Sequence, residues 1–279
     1  MPFDSECVVN SVVWIATLPE KELGPTNRMV EDVEQFAHQS SFSFCYFVIK
    51  NRADLTALLT QICSWAAEKQ CRPIIVLDGH GSRQDGLKLS DSGETITWAE
   101  LSEHLQWINV ETGNNLCVIG AACYSLQAIS LIKLNAPTPY FVLLAPEQEV
   151  NVGFLEKNLP AFFKLLFTTN SLKDAYCHYL SSTFTYFHCE KLFFRTMAIY
   201  IQNQCKGKAA AQRRERLMTE FFMDGLPNNP NTRKLVRDKI KKGLKPTQDI
   251  LDGYAKIFLI NRKCSFTMDE LFDYLDNFK

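Results

Sequence analysis

The sequence predicts an α/β fold: a mostly parallel sheet flanked by helices, with a helical C-terminal extension. Three observations carry this prediction. Short β-rich runs alternate with helical apolar periods through the first two thirds of the chain. Two of those runs, Pro73–Leu77 and Leu116–Ile119, are continuously apolar, as central strands covered on both faces are. Both runs end in short glycine-bearing segments, Asp78-Gly79-His80-Gly81-Ser82 and Gly120-Ala121-Ala122-Cys123-Tyr124-Ser125. In open α/β sheets, ligand and catalytic groups gather at such strand ends.

The elements follow in order. The first strand is read over Val8–Leu18, and Pro25-Thr26-Asn27 then start a helix with Met29, Val30, Val33, Phe36 and Ala37 on one face. After a second strand, Phe42–Ile49, a helix from near Asp54 buries Leu55, Leu58, Leu59, Ile62 and Trp65. Pro73–Leu77 is the third strand. Leu87–Leu89 and Thr95–Thr97, around the turn Asp91-Ser92-Gly93, predict a small hairpin outside the main sheet. Thr97 and Glu100 form a capping box for the next helix.

Leu116–Ile119 is the fourth central strand, Leu126, Ile129 and Ile132 mark a helix after it, and Tyr140–Leu144 is the fifth strand. Beyond this point no further strand is expected. Helical patterns cover Phe154–Phe167 with a break at Pro160, a helix opening at Ser171, a long one around Cys189–Gln204, Arg213–Met223, and a last one capped from Thr267 to Glu270. The polar segment Lys206–Arg216 and the Pro/Asn cluster Leu226–Thr232 place a domain boundary near residue 207. Residues 1–206 then form the α/β domain and 207–279 a helical unit.

The composition, 46% hydrophobic and 22% charged, is that of a globular chain, so disorder and fibrous repeats are excluded. The net charge of −1 and the lack of an uninterrupted basic stripe argue against nucleic-acid binding. Leu235, Val236, Ile240 and Leu244 interrupt the basic cluster Lys234–Lys245 at helical spacing, which predicts a solvated helix face. Asp4 and Glu6 stand where a secretory signal carries positive charge, and no apolar stretch nears the roughly 20 residues that span a bilayer. Ten cysteines without a CxxC pair predict free thiols in a reducing compartment. A soluble, cytoplasmic protein without membrane insertion is expected.

His80 and Cys123 are the candidate catalytic pair, because two neighbouring strands that end at them put both side chains on one sheet edge. A cysteine attacks as its thiolate, which an imidazole and a helix N-terminus both promote. Ser125 is read as the N-cap of a helix opening at Leu126, with its positive end beside the sulfur. Gly79 and Gly81 permit close backbone approach, and the N–H groups of Gly81 and Cys123 are the candidate oxyanion hole. Asp78 could orient His80, line an acidic substrate pocket, or cap its own loop. Glu147 and Glu149, after the fifth strand, are candidates for substrate binding, with solvated loop charges as the alternative.

These motifs, about 43 residues apart, resemble those of the caspase-like cysteine peptidases, a group that includes caspases, separases, gingipains and the bacterial CHAT proteases. In element order the resemblance spans roughly residues 8–180. It implies a Cys/His dyad, an oxyanion hole at Gly81, hydrolysis of peptide bonds without metal or cofactor, and a substrate pocket along Tyr140–Leu144 and the following loop. Legumain-like and metacaspase-like members carry an acid two positions before the cysteine, where this sequence has Ala121. The Gln-Ala-Cys pentapeptide of eukaryotic caspases is also absent. The chain is therefore most similar to the CHAT-type branch, several of whose bacterial members act in antiviral defence by cleaving a partner such as a gasdermin. A protein or peptide substrate is what the resemblance implies.

Two other functional readings stand beside this one. Cys123 followed by His188-Cys189-Glu190 imitates the Cys and His-x-Glu order of glutamine amidotransferases, although Ser125 replaces their glycine. An inactive caspase-like scaffold that binds a partner through its C-terminal helices is the other. Cys177-His178 and His188-Cys189 look like metal-ligand pairs, but adjacent helical residues point about 100° apart, so no metal site is expected. Gly79, Gly81 and Gly86 do not match a dinucleotide-binding fingerprint.

Overall fold

The computed structural model describes residues 7–205, 207–223, 225 and 227–277. Asp4 and Glu6, on which the expectation for the N-terminus rests, lie outside the described residues, as do Lys206 and Leu226.

The chain opens with β1 (Ser11–Ala16), α1 (Leu23–Gln39), β2 (Ser43–Val48), α2 (Arg52–Lys69) and β3 (Pro73–Asp78). β1 pairs in parallel with β2 on one side and β3 on the other. The crossovers run in opposite directions from β1 to β2 and from β2 to β3. Right-handed connections therefore set α1 and α2 on opposite faces. Every residue of β1 and β3 is buried, as their apolar runs require.

A small antiparallel sheet follows, made of β4 (Gly81–Ser82), β5 (Gly86–Leu89) and β6 (Glu94–Ile96). It is the expected hairpin with one added two-residue strand. Thr97 and Glu100 form the expected capping box at the start of α3 (Trp98–Glu111). β7 (Cys117–Ala121) and β8 (Val142–Pro146) extend the parallel sheet beyond β3. α4 (Val152–Thr169) then packs on α1, while α3 packs on α2.

Three expectations are corrected here. Pro160 does not break α4, which runs through it; burial of Leu159, Phe162, Phe163 and Leu166 against the core outweighs the one lost hydrogen bond. After the short α5 (Leu172–Ala175) and a π-turn, the sheet gains a sixth strand, β9 (Phe184–His188), antiparallel to β8. The strand order is β2-β1-β3-β7-β8-β9. Finally, the chain after β7 forms a five-residue 3-10 helix, Ser125–Ile129, instead of an α-helix.

α6 (Cys189–Tyr200) ends in a π-turn at Ile201–Cys205, and α7 (Gly207–Met223), α8 (Pro230–Gly243), α9 (Gln248–Phe258) and α10 (Met268–Asn277) complete the chain. These last helices do not share one environment. Leu251, Phe258, Phe266, Met268 and Leu271 belong to the principal core, with Phe193 stacked on Phe258. Met218, Val236 and Ile240 form a separate apolar cluster that joins α7 to α8. Among the described residues no helix is long and apolar enough to cross a membrane.

Candidate active site

β3 and β7 lie side by side and in register, with Asp78 opposite Ala121. Both glycine-bearing segments therefore leave the sheet at the same level. Their glycines are needed for contact. A side chain at Gly79 would collide with the Thr17 hydroxyl, which donates to the Asp78 carbonyl at 3.4 Å. One at Gly81 would collide with the carbonyl oxygen of Cys123 and press on the Trp98 ring. The Trp98 Nε1–H in turn donates to the Ser82 carbonyl at 2.8 Å, which holds the ring under the loop. The His80 loop thus rests directly on the backbone of Cys123.

The β4–β5 ladder leaves Gly81 available. Lys88 N–H donates to the His80 carbonyl at 2.8 Å, and Gly81 faces Leu87. That combination is the non-hydrogen-bonded kind of antiparallel pair, in which the N–H of Gly81 points away from β5. The donor expected for an oxyanion is not used by the hairpin.

Beyond β7, Ser125 Oγ donates to the Gly120 carbonyl at 2.9 Å and fills the space that a side chain at Gly120 would need. Tyr124 enters the left-handed region, with φ of 59°. This tight return presents Cys123 at the sheet edge. It also corrects the expected source of thiolate character: Ser125 does not cap a helix, and no helix dipole of useful length points at the sulfur. The Val150 N–H, in the loop after β8, donates to Cys123 Sγ at 3.4 Å instead. Tyr124 N–H donates to the Gln148 carbonyl at 3.0 Å, so the same loop braces the Cys123 segment on two sides.

His80 is exposed, and its Nε2 lies 2.6 Å from Glu22 Oε2. Glu22 ends a 3-10 turn, Glu20–Glu22, in the loop after β1. With a carboxylate at Nε2, Nδ1 is the ring nitrogen left to accept a proton. Imidazole and sulfur do not bond each other here, since His80 holds Glu22 and Cys123 holds Val150. Substrate-free sites commonly have such loose catalytic contacts. The sequence reasoning missed Glu22. The signal available was topological: β1 neighbours β3, so the loop after β1, with Glu20 and Glu22, belongs to the same sheet edge.

Asp78 does not serve as expected. It is buried, and its Oδ2 accepts from Trp14 Nε1 at 3.1 Å and from Thr26 Oγ1 at 2.7 Å. Burial pushes its carboxyl pKa up, while these hydrogen bonds and the nearby His80 pull it down. Its side chain joins β1 and α1 to β3.

Glu147 and Glu149 lie in the loop that braces Cys123, both exposed. Glu147 Oε1 accepts from Thr185 Oγ1 at 3.2 Å. With Arg83, Leu126, Gln127 and Ser130 it lines a cleft of about 190 Å³ next to Tyr124. The Arg83 guanidinium is held over the Tyr124 ring, 5.5 Å from its centre.

His188 belongs to another place. It pairs with Val142, which pairs with Cys117, six residues before Cys123. At ~3.3 Å per strand residue that is roughly 20 Å from Cys123. The buried His188 ring packs on Phe141, and its Nδ1 accepts from the Glu190 N–H at 3.2 Å, capping α6. The His188-Cys189-Glu190 set is therefore not brought to Cys123. Among the described residues no group of three or more His, Cys, Asp or Glu side chains could hold a metal ion.

No protein-family model matches the chain, and no curated protein matches it.

Proposed function

We propose that the chain is a cysteine endopeptidase, with Cys123 as nucleophile and His80 as general base. The observation that carries this is the seat of Gly81 on the backbone of Cys123, which joins the two strand-end segments into one site. His80 takes the Sγ proton as the sulfur attacks the scissile carbonyl, and the N–H groups of Gly81 and Cys123 receive the oxyanion. His80 then gives its proton to the departing amine, leaving a thioester on Cys123. A water molecule, deprotonated by the same imidazole, hydrolyses the thioester and restores the thiol. Glu22 holds the ring and faces the imidazolium while it is charged.

The cleft beside Tyr124 is the candidate pocket for the substrate residue before the scissile bond, with Glu147 as the group that favours a basic side chain there; Glu149, in the same loop, does not line it. No disulfide joins cysteines among the described residues, which supports a reducing, cytoplasmic setting. The resemblance to CHAT-type proteases supports a protein substrate in bacterial antiviral defence, such as a gasdermin-like partner.

A positional peptide library tests the proposal. The wild-type chain is expected to cleave a defined subset, and Cys123→Ala and His80→Ala each to lower turnover about 10³-fold or more while the fold persists. Full turnover by a folded His80→Ala variant would reject the dyad. No cleavage of any member by the wild type would favour the inactive scaffold.

A further inference from the structure

The charge of this chain is unevenly divided. Between residues 207 and 245 there are eleven Lys and Arg against four Asp and Glu, in a chain of formal net charge −1, so the remainder carries −8. That basic stretch is the α7–α8 hairpin. Its sequence suggested only a solvated helix face, but the fold sets part of that face opposite a second helix. Arg214 of α7 and Lys241, Lys242 and Lys245 at the end of α8 line one cleft of about 370 Å³.

The two helices meet there because Met218, Val236 and Ile240 fuse them through a common apolar strip. Two other cations of the hairpin are paired, Arg237 with Glu215 and Arg216 with Glu220. Among the described residues none of the four cleft cations has a carboxylate within 4 Å, although Asp238 also lines the cleft. Leu244 and Pro246 give it an apolar wall, and Gln204 and Cys205 of the π-turn at Ile201–Cys205 also line it. Such turns recur at functional sites.

Four cations lining one cleft with one carboxylate create a positive potential that a multivalent anion relieves. The volume lies in the range of small-molecule pockets, far below what a nucleic-acid duplex needs. From these features we infer that the cleft binds a small polyphosphate, of the size and charge of a nucleoside triphosphate, with phosphates on Arg214, Lys241, Lys242 and Lys245. This site is separate from Cys123 and does not depend on the chain being a peptidase.

Isothermal titration calorimetry of the full chain tests it, with sodium tripolyphosphate and adenosine triphosphate as probes, at low salt and without divalent cation. One saturable site per chain is expected, weakening as salt rises. Arg214→Gln and Lys242→Gln should each reduce affinity about tenfold, the loss of one charge-assisted contact, while Lys234→Gln, outside the cleft, leaves it unchanged. All three positions are outside the core, so circular dichroism should show the wild-type fold. Absence of saturable heat with both probes would overturn the inference, as would unchanged affinity in the two cleft variants. It would also be overturned if a labelled single-stranded oligonucleotide bound more tightly than either probe and lost affinity equally in Lys234→Gln. That result would mark a backbone-tracking surface instead.

Discussion

The proposed general base needs its ring held in one tautomer, and for His80 the group placed to do this is Glu22, 2.6 Å away and 58 residues earlier in the chain. Glu22→Gln keeps a hydrogen-bonding side chain but removes the charge that faces the imidazolium. Turnover of a cleaved peptide should fall about 10- to 100-fold with little change in KM, and Glu22→Asp should recover part of it. An unchanged kcat, or a fall seen only in KM, would contradict this role. His80 and Cys123 were legible in the sequence because glycines mark the strand ends that bear them. Glu22 was not, since nothing local ties a loop glutamate to a histidine on another strand. For Asp78 the sequence left a site role and a loop cap open, because β3 is buried on both faces and its residue pattern holds no alternation to show which way a side chain points.

At the level of elements, Asp78 is the joint between β3, the Trp14 ring of β1 and the Thr26 hydroxyl of α1. Its pH behaviour follows from burial. The folded carboxyl pKa lies above the unfolded value of ~3.9, so the unfolded state ionises first as pH rises. The stability contributed by Asp78 is full below that unfolded value and is lost as pH climbs through the raised folded one. Asn accepts the same two hydrogen bonds without titrating. Urea midpoints followed from acid towards neutral pH should therefore shift in favour of Asp78→Asn, and a constant or opposite difference would contradict the assignment. Other elements show where sequence pattern gave way to packing. β9 was missed because Phe184–His188 is a short aromatic run at the end of a helical stretch, although Phe, Thr and Tyr after a Ser-Ser-Thr turn suit a strand. The helix expected after Cys123 was read from Leu126, Ile129 and Ile132. The left-handed Tyr124 and the return bond from Ser125 coil that segment into a single 3-10 turn.

For the whole molecule, the parallel sheet with its flanking helices followed directly from the alternation of apolar runs. The organisation of the C-terminal third did not, because α9 and α10 reach back to Phe193 and the principal core while α7 and α8 keep their own. Sequence spacing shows which face of a helix is apolar, but leaves open which neighbour covers it. The sheet brings two loops from adjacent strands together, and the central claim is that this edge performs covalent chemistry at one sulfur. Rapid acid quenching of the wild-type chain with a cleaved peptide ester, read by peptide mass spectrometry, tests it most directly. An acyl group is expected on Cys123 within the first turnover, hydrolysing at the steady-state rate, absent in Cys123→Ala and formed at least about 10³-fold more slowly in His80→Ala. An acyl group found instead on another thiol, such as the exposed Cys177, or formed on Cys123 at the wild-type rate without His80, would contradict it.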